Sequence, residues 1–443
     1  MSVSGVKMVN SSIGALYSKA RTGLVRSNLT SKEFVITATV FAAVTMNFFF
    51  AMVNAHVVGL TRNQIILGEI LIVLVCVLAC YRSFNKLMIP WIALVWMLGI
   101  IFLLMSLFRE SIEAKYFRDV LIIPIFVALG LAFAKGNIVR LFAILQALVL
   151  GVMLVEGLFV DLFGELVNPL MYYLNTREWV KEESFWKTDS VLFISAWRPQ
   201  DRFFSFVDIH RLSSVFLEPV SLGNWCVIIT IFLMAMWRDL SRRMMIFFLV
   251  TNAMILVGSD GRFATVCCTI ILLTIPIALR LPRYSQFLYL PAALFTTLLI
   301  VIFLDLSRGD DFLGRLGRSI EILSNMDLMG LLGLNEELIR RGADSGISYV
   351  ILTQSILGFT LLWTAICFLQ ATNTRMGILC LHGICIYVAL SLLISFSMFT
   401  VKTAAPLWFL YGYVCVRSHN LMRDQGAPPV AAAQTARALE RGL

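Results

Sequence analysis

The chain alternates between long apolar stretches and shorter polar ones. An apolar stretch of about 20 residues is long enough to cross the hydrocarbon core of a bilayer as a helix. The pattern therefore predicts an all-α polytopic membrane protein with one membrane-embedded domain at residues 34–416. Its twelve predicted spans are 34–55, 64–81, 88–107, 119–134, 138–161, 221–237, 244–258, 263–279, 287–304, 346–369, 377–398 and 406–416.

Composition agrees with a membrane location. Of the 443 residues, 59% are apolar and only 14% are charged, and the mean hydropathy is +0.85. That is about half the charge of an ordinary soluble domain, so an array of soluble domains is excluded. All nine cysteines fall inside apolar stretches, where a thiol behaves as a small apolar side chain, and no disulfide or zinc site is predicted.

Basic residues in the short connections set the predicted orientation, because such residues concentrate on the cytoplasmic side of membrane proteins. They are Arg82, Lys86, Lys135, Arg140, Arg238, Arg242, Arg243, Arg280, Arg283 and Arg375. Both termini are then cytoplasmic, with a tail at 417–443. The basic N-terminal segment 1–33 is either an amphipathic helix on the membrane surface or a solvated tail.

The opposite side receives two long connections, 163–210 and 305–345. Long loops are exported despite their charges, so the concentration of basic residues on the cytoplasmic side does not apply to them. They are rich in arginine, whose planar guanidinium group can form two parallel hydrogen bonds to phosphate or carboxylate. Most of these arginines are nevertheless expected to pair with acidic residues of the same loops. Glu69 and Glu156 lie inside spans toward this side, where they contact substrate or form structural ion pairs.

The segment His210–Gly223 joins a long polar loop to an apolar span. Its Pro219 suits the first turn of a helix. The free N–H groups and the dipole at the N-terminus of a helix favour phosphate binding, and the Arg211 guanidinium adds charge-assisted hydrogen bonds. His210 and Glu218 flank this arginine and are candidate catalytic bases.

Two further arginine positions lie on the same side. The segment Val257–Ala264 is a tight turn after which Arg262 opens the next span. An arginine held there is a functional candidate, with snorkelling to the interface as the alternative. Arg315 and Arg318, three residues apart, would share one helix face and bind a second phosphate or an acidic sugar, or belong to a solvated helix.

The segment Arg340–Phe359 places Asp344 and Ser345 ahead of the tenth span, where they suit a helix N-cap. Arg340 and Arg341 precede them by about a turn and are candidate substrate contacts. Their charges would keep the Asp344 carboxylate ionised and able to accept the proton of a sugar hydroxyl. Asp344 is thus a catalytic candidate, with capping alone as the alternative.

These three segments follow a recurring order. An arginine precedes a Phe-x-x-Pro-like stretch, an arginine opens the span after a serine-containing turn, and a polar pair precedes aromatic and glycine positions. The positions are Arg211, Phe216, Pro219, Ser259, Arg262, Asp344, Ser345, Tyr349 and Gly358. With the largest outer loops before the sixth and tenth spans, this order resembles the O-antigen ligase and polysaccharide polymerase superfamily.

The resemblance implies a metal-independent GT-C-type glycosyltransferase in the bacterial inner membrane, with its active site facing the periplasm. Donor and acceptor would be oligosaccharides on undecaprenyl pyrophosphate, with Arg211 and Arg262 on the pyrophosphate. Asp344 stands where the ligases carry the histidine of a His-Asn pair, so the chain is more similar to the exopolysaccharide polymerases. The implied partners are membrane lipid, a flippase and a chain-length regulator. The resemblance implies neither a cofactor nor a nucleic acid.

Two alternatives to a polymerase stay open. A ligase would transfer a finished glycan to a lipid A core. A secondary transporter or lipid-oligosaccharide flippase also has many spans, but it usually carries ionisable groups or broken helices near the midplane and related halves. The sequence shows no internal repeat, no Walker-type phosphate loop and no Asp-x-Asp pair, which favours an enzyme that draws its energy from a lipid-linked donor.

Overall fold

A computed structural model describes residues 30–177, 180, 190–197, 202–207, 209–282, 284–303, 312–335, 338–339, 345–370 and 373–424. Regular secondary structure within these ranges is helical, without strands. Nine of the described helices are long and apolar enough to cross a membrane. The chain is therefore an all-helical membrane protein, as the apolar pattern predicts.

We number the helices in chain order and leave out single 3₁₀ turns. They are α1 (Ser31–His56), α2 (Arg62–Tyr81), α3 (Ile89–Arg109), α4 (Ala114–Ala132), α5 (Ile138–Leu158), α6 (Val160–Val167), α7 (Pro169–Thr176), α8 (Pro219–Met236), α9 (Arg242–Ser259), α10 (Arg262–Ala278), α11 (Ser285–Phe303), α12 (Phe312–Ser324), α13 (Leu328–Leu331), α14 (Gly346–Phe368), α15 (Arg375–Leu392) and α16 (Val401–Asp424).

The three other predicted spans also coincide with helices, namely α4, α10 and α16. Helix α10 has 17 residues, and α16 runs well beyond the predicted span at both ends. Its first turn contains Lys402, a charge that ends an apolar stretch when only the sequence is considered. In the fold this lysine is buried and paired, so the helix continues through it.

Local sequence signals account for several helix ends. Thr30 and Glu33 form a reciprocal capping box at the start of α1, which satisfies two N–H groups of the first turn. Ser241 and Thr374 cap α9 and α15 with their hydroxyls. Pro219 occupies the first position of α8, as predicted, because its missing N–H has no intrahelical partner there.

Helix α16 is the centre of the bundle and packs most extensively against α4. Its residues from Val401 to Val416 are all buried. Gly412 lies against the backbone at Val127, and Gly130 lies against the backbone at Phe409, so neither site has room for a Cβ. Small residues allow two membrane helices to approach this closely and gain dispersion contacts.

The two ends of the bundle are distinguished by their contacts. At one end Gln370 donates to the Leu87 carbonyl at 2.8 Å, and the hydroxyls of Thr374 and Ser418 lie 2.6 Å apart. We call this the short-loop end. The opposite end carries the described parts of 159–218 and of 312–345, and we call it the long-loop end. There the small helices α6 and α7 pack on α1.

Helix α14 is broken at Ser355, whose φ of 62° and ψ of 166° are not helical. The Arg109 guanidinium donates to the Leu352 carbonyl at 2.6 Å and to the Thr353 carbonyl at 3.3 Å. These carbonyls precede the break, so Arg109 replaces helical hydrogen bonds that the break removes. The break lies about 13.5 Å along the helix from Gly346, at the helical rise of about 1.5 Å per residue.

Replacing Gly412 with alanine is expected to lower the thermal stability of the detergent-purified protein, because a Cβ there overlaps backbone atoms of α4. Overpacking costs about 1–3 kcal/mol where side chains can adjust, and backbone adjusts less. The control is Gly151→Ala on α5, where a Cβ meets nothing within 4 Å. Equal unfolding temperatures for the two variants would contradict the close approach of α4 and α16.

Candidate functional site

Two of the three predicted segments meet at the turn between α9 and α10. Asp260 has a φ of 50°, in the left-handed region, and separates the two helices. Its carbonyl oxygen accepts hydrogen bonds from the Arg211 guanidinium at 3.4 Å and from the backbone N–H of Arg262 at 3.1 Å. The Arg211 side chain is mostly buried and that of Arg262 is exposed. The Arg211 side chain therefore contacts the turn that directly precedes Arg262, at the long-loop end.

A third arginine, Arg202, ties the long loop to this turn. Its guanidinium donates to the His210 carbonyl at 2.8 Å and to the Val257 carbonyl at 2.8 Å. The Asp260 carboxylate in turn accepts from the Phe204 N–H at 3.0 Å. These bonds join the end of the loop to the end of α9, so the position of Arg211 is fixed by backbone contacts on both sides.

Glu156, near the end of α5, fixes the next part of the segment. It is fully buried and accepts from the N–H of Ser213 at 2.8 Å and of Ser214 at 2.6 Å. The Nε2 atom of His210 lies 3.6 Å from this carboxylate and has no hydrogen-bond partner within the described ranges. The His210 ring also lies 5.4 Å from that of Trp197. Glu156 thus anchors the loop, and His210 is buried beside it rather than on the surface.

Glu218, at the N-cap of α8, holds the far side of the segment. Its carboxylate pairs with Arg177 at 2.5 Å and with Lys402 of α16 at 2.5 Å. Lys402 also donates to the Phe216 carbonyl at 2.9 Å. The Arg177 guanidinium stacks over the Tyr173 ring at 4.2 Å. Three elements, α7, α8 and α16, are therefore joined through one carboxylate.

The charge state of Glu218 follows from these partners. Burial alone would raise the pKa of its carboxyl, but the charges of Arg177 and Lys402 outweigh burial and hold that pKa well below its usual value. The Ser221 hydroxyl adds a hydrogen bond of 2.8 Å. Glu218 is thus an ionised carboxylate whose oxygens are committed to cations, which makes it a weak proton acceptor.

The third segment reaches a second group of charges. Ser345 is the N-cap of α14 and accepts from the Ser348 N–H at 3.4 Å, which confirms its predicted capping position. One turn further on, the Tyr349 hydroxyl donates to the Asp119 carboxylate at 2.6 Å and accepts from the Lys115 ammonium at 2.9 Å. Both partners lie at the start of α4, so the third segment is packed against α4 at the long-loop end.

Glu69 belongs to this second group. Its carboxylate lies 2.6 Å from Arg118, and Arg118 also pairs with Asp119 at 2.7 Å. Glu69 and Lys402 are close enough to interact electrostatically, so the second group adjoins the Glu218 pairs. Glu69 therefore forms an ion pair with Arg118, within electrostatic range of the Glu218 pairs.

Arg315 and Arg318 lie on α12, as their spacing predicts, with Arg315 half-buried and Arg318 exposed. Leu316, between them, is buried in a cluster that includes Phe263. Phe263 directly follows Arg262 in the chain. Helix α12 is therefore docked beside the start of α10, and its two arginines are on the same end of the bundle as Arg262.

Asp344, Arg340 and Arg341 lie outside the described residues, and their roles stay predictions. Arg211 contacts the turn that directly precedes Arg262, while the predicted binding roles of both arginines stay predictions. The sequence did not single out the charged residues that hold the surrounding segments, which are Lys115, Arg118, Asp119, Arg177, Arg202 and Lys402. The only signal for these was their place near the ends of spans on the same side.

Chemically, the turn offers arginine side chains and the start of α10 at a surface where an anion could approach. The Arg262 side chain is exposed, and the first turn of a helix presents free N–H groups and a positive dipole end. Comparisons with known proteins give no further guide: no family model, no curated protein and no solved structure matches the chain.

The Glu218→Gln variant is expected to unfold at a lower temperature at pH 7, because it leaves the buried charges of Arg177 and Lys402 uncompensated. Breaking a buried pair in this way costs about 3–5 kcal/mol. Because the folded-state pKa of Glu218 is depressed, its contribution is present above the ordinary value of 4.5 and is lost as pH falls below it.

Thermal unfolding of the wild type and Glu218→Gln, measured from pH 7 down to pH 3.5, tests this. The gap between their unfolding temperatures should narrow below pH 4.5. Glu165→Gln, at an exposed carboxylate of α6, is the control and should match the wild type throughout. A gap that widens on acidification would show that Glu218 is protonated in the native protein.

Proposed function

We propose that the chain is a membrane glycosyltransferase of the polysaccharide polymerase type. It would join oligosaccharide repeat units carried on undecaprenyl pyrophosphate at the periplasmic face of the bacterial inner membrane. The observation that carries the proposal is the hydrogen bond from the Arg211 guanidinium to the Asp260 carbonyl oxygen, two residues before Arg262, whose backbone N–H donates to the same oxygen. The order of segments that resembles the polymerase and ligase superfamily supports it.

The charge distribution supports an anionic substrate at the long-loop end. The arginines at this end are Arg211 in the long loop, Arg262 at the start of α10, and Arg315 and Arg318 on α12. Guanidinium groups recognise phosphate in a bidentate manner and stay charged at any physiological pH. Under the positive-inside orientation of the short loops, this end faces the periplasm.

The reaction balances without a further reactant. An acceptor hydroxyl oxygen forms a bond to the anomeric carbon of the donor sugar while the bond from that carbon to the pyrophosphate oxygen breaks. The hydroxyl proton passes to a base, and the electron pair leaves with undecaprenyl pyrophosphate. Arg211 and Arg262 would stabilise the negative charge that develops on the leaving group, which is the largest demand of this chemistry.

Asp344 is our candidate for the base. Glu218 is less suited, since two cations lower its pKa. His210 is a second candidate, because its Nε2 atom has no hydrogen-bond partner among the described residues and lies near Glu156. Arg340 and Arg341 would contact the substrate beside Asp344, and Arg315 with Arg318 would contact a second phosphate or an acidic sugar.

A transporter is the second candidate function, and one observation favours it. The break in α14 at Ser355 lies near the middle of a helix long enough to cross a membrane, which is typical of transporter binding sites. A flippase would move a fluorescent lipid-linked oligosaccharide across proteoliposomes without lengthening it. Elongation in the same vesicles, with no dependence on a gradient, would select the polymerase.

Arg211→Ala and Arg262→Ala, made separately in the producing cell, are expected to abolish long polymer and to leave single lipid-linked repeats in the membrane. Loss of one contact to developing charge lowers a rate by a hundredfold or more. Polymer length on gels and lipid-linked repeats by mass spectrometry are the readouts. The matched control is Arg62→Ala, an exposed arginine at the start of α2, with normal polymer expected.

Each result separates the candidate functions. Normal polymer in both arginine variants would remove the basis of the proposal. Long polymer that fails to reach lipopolysaccharide would identify a ligase instead. Asp344→Ala alongside them tests the base, with loss of polymer but retained binding of undecaprenyl pyrophosphate expected.

Chain elongation by the purified protein is expected to survive removal of divalent cations. The proposed site neutralises pyrophosphate with guanidinium groups, so it requires no metal for this step. The measurement is product length from a defined lipid-pyrophosphate oligosaccharide with and without EDTA. A product that disappears with EDTA and returns with Mg²⁺ would show that a cation, rather than the arginines, carries the leaving-group charge.

A further inference from the structure

Three buried polar atoms near the start of α16 have no hydrogen-bond partner among the described residues. They are the amide oxygen of Asn224 on α8 and the hydroxyl oxygens of Tyr387 and Ser391 on α15. All three residues are almost completely buried, with exposed fractions of 1% or less. None of them takes part in the arginine turn described above.

These atoms converge on Ser397, in the segment between α15 and α16. The Asn224 amide NH₂ donates to the Ser397 hydroxyl at 3.0 Å, which leaves the amide oxygen of Asn224 unpaired. The Tyr387 hydroxyl lies close to the side chains of Ser397 and Ser391, without forming a hydrogen bond of ordinary geometry to either. The Ser397 carbonyl is occupied by the Thr403 hydroxyl at 2.6 Å. We call Asn224, Tyr387, Ser391 and Ser397 the hydroxyl cluster.

An unpaired buried polar group costs about 1–3 kcal/mol, so a native protein keeps several together only where something offsets the cost. Every member of the hydroxyl cluster is neutral and can donate or accept a hydrogen bond. A neutral ligand with many hydroxyl groups matches this chemistry. A phosphate does not match it, because a negative charge binds more favourably to the guanidinium groups of the arginines near the turn.

Aromatic rings adjoin the hydroxyl cluster on the side toward α4. Phe396 precedes Ser397 and is half-buried, and its ring lies 5.4 Å from that of Tyr349. Phe399 lies 6.3 Å from the same tyrosine ring. Rings beside hydroxyl and amide groups suit a sugar, whose C–H faces are apolar and whose edges are polar.

The hydroxyl cluster is within reach of the surface and of the charged groups. Ser395, Phe396 and Ser397 are each partly exposed at the long-loop end. Asn224 lies one helical turn beyond Ser221, which is hydrogen-bonded to Glu218. A ligand in the cluster would therefore lie beside the segment that carries Arg211, at the depth of the first turns of α8.

We propose that the hydroxyl cluster is a sugar subsite, in which Asn224, Tyr387 and Ser391 bind hydroxyl groups of the glycan and Phe396 contacts its apolar face. The proposal rests on the glycosyltransferase function proposed above and names which part of the protein holds the sugar rather than the pyrophosphate. Its residues are binding residues, distinct from the arginines.

The test uses Tyr387→Phe and Asn224→Ala in the purified full-length protein. The probe is the oligosaccharide released by mild acid from the lipid-linked repeats of the producing cell, titrated by calorimetry. Saturable binding by the wild type and roughly five- to tenfold weaker binding by each variant are expected, the effect of one lost hydrogen bond. Tyr81→Phe, at an exposed tyrosine of the short-loop end, is the control and should bind normally.

Thermal unfolding without the probe separates binding from a structural role. Because the Tyr387 hydroxyl is unpaired, its removal should leave the free protein as stable as the wild type or more so. The oligosaccharide should raise the unfolding temperature of the wild type more than that of Tyr387→Phe. A Tyr387→Phe protein that is destabilised yet binds the probe as tightly as the wild type overturns the proposal, as does a wild type that shows no saturable binding.

A further pair of measurements distinguishes failure of the subsite from failure of the proposed function. The Arg211→Ala variant should keep oligosaccharide binding and lose binding of undecaprenyl pyrophosphate, with the opposite result for Asn224→Ala. If the wild type binds undecaprenyl pyrophosphate through Arg211 but no oligosaccharide, the subsite is wrong and the glycosyltransferase stands. If the oligosaccharide binds through Asn224 but Arg211→Ala still makes polymer, the arginine site is wrong and the subsite stands.

Discussion

The long-loop end depends on two buried carboxylates that hold one short segment between them. Glu156 receives the N–H groups of Ser213 and Ser214, and Glu218 pairs with Arg177 and Lys402. A carboxylate taken out of water must find donors or cations, because an uncompensated buried charge costs several kcal/mol. This requirement leaves the segment 211–218 little freedom, and it is what gives Arg211 a defined position.

The central packing of α16 against α4 makes those pairings available. Gly130 and Gly412 allow the two backbones to approach closely, which places the beginning of α16 deep among other helices. Lys402, in its first turn, is therefore buried and reaches Glu218. At the start of α4, the other helix of this pair, Asp119 accepts a hydrogen bond from Tyr349 of α14. The same helix pair thus organises the core and connects the two charged groups at the long-loop end.

Several features were predictable from local sequence because their causes are local. Pro219 starts α8 and Ser345 caps α14, since each signal acts within one turn of helix. The short break around Asp260 allowed only a tight turn between two helices, although the contact of Arg211 with that turn spans 49 residues and is a tertiary one. The partners of Glu218 were not predictable: Arg177 and Lys402 are 41 and 184 residues away from it, and no local pattern joins them.

The sequence by itself determined that the protein is helical and membrane-embedded, and where most helices begin and end. Apolar length and capping residues suffice for this, because each acts on a single helix. Only the tertiary structure decided that His210 is buried beside Glu156, that Glu218 is committed to cations, and that unpaired polar atoms gather around Ser397. Those outcomes depend on which helices become neighbours, and pairing of buried charges is settled by packing across the whole bundle.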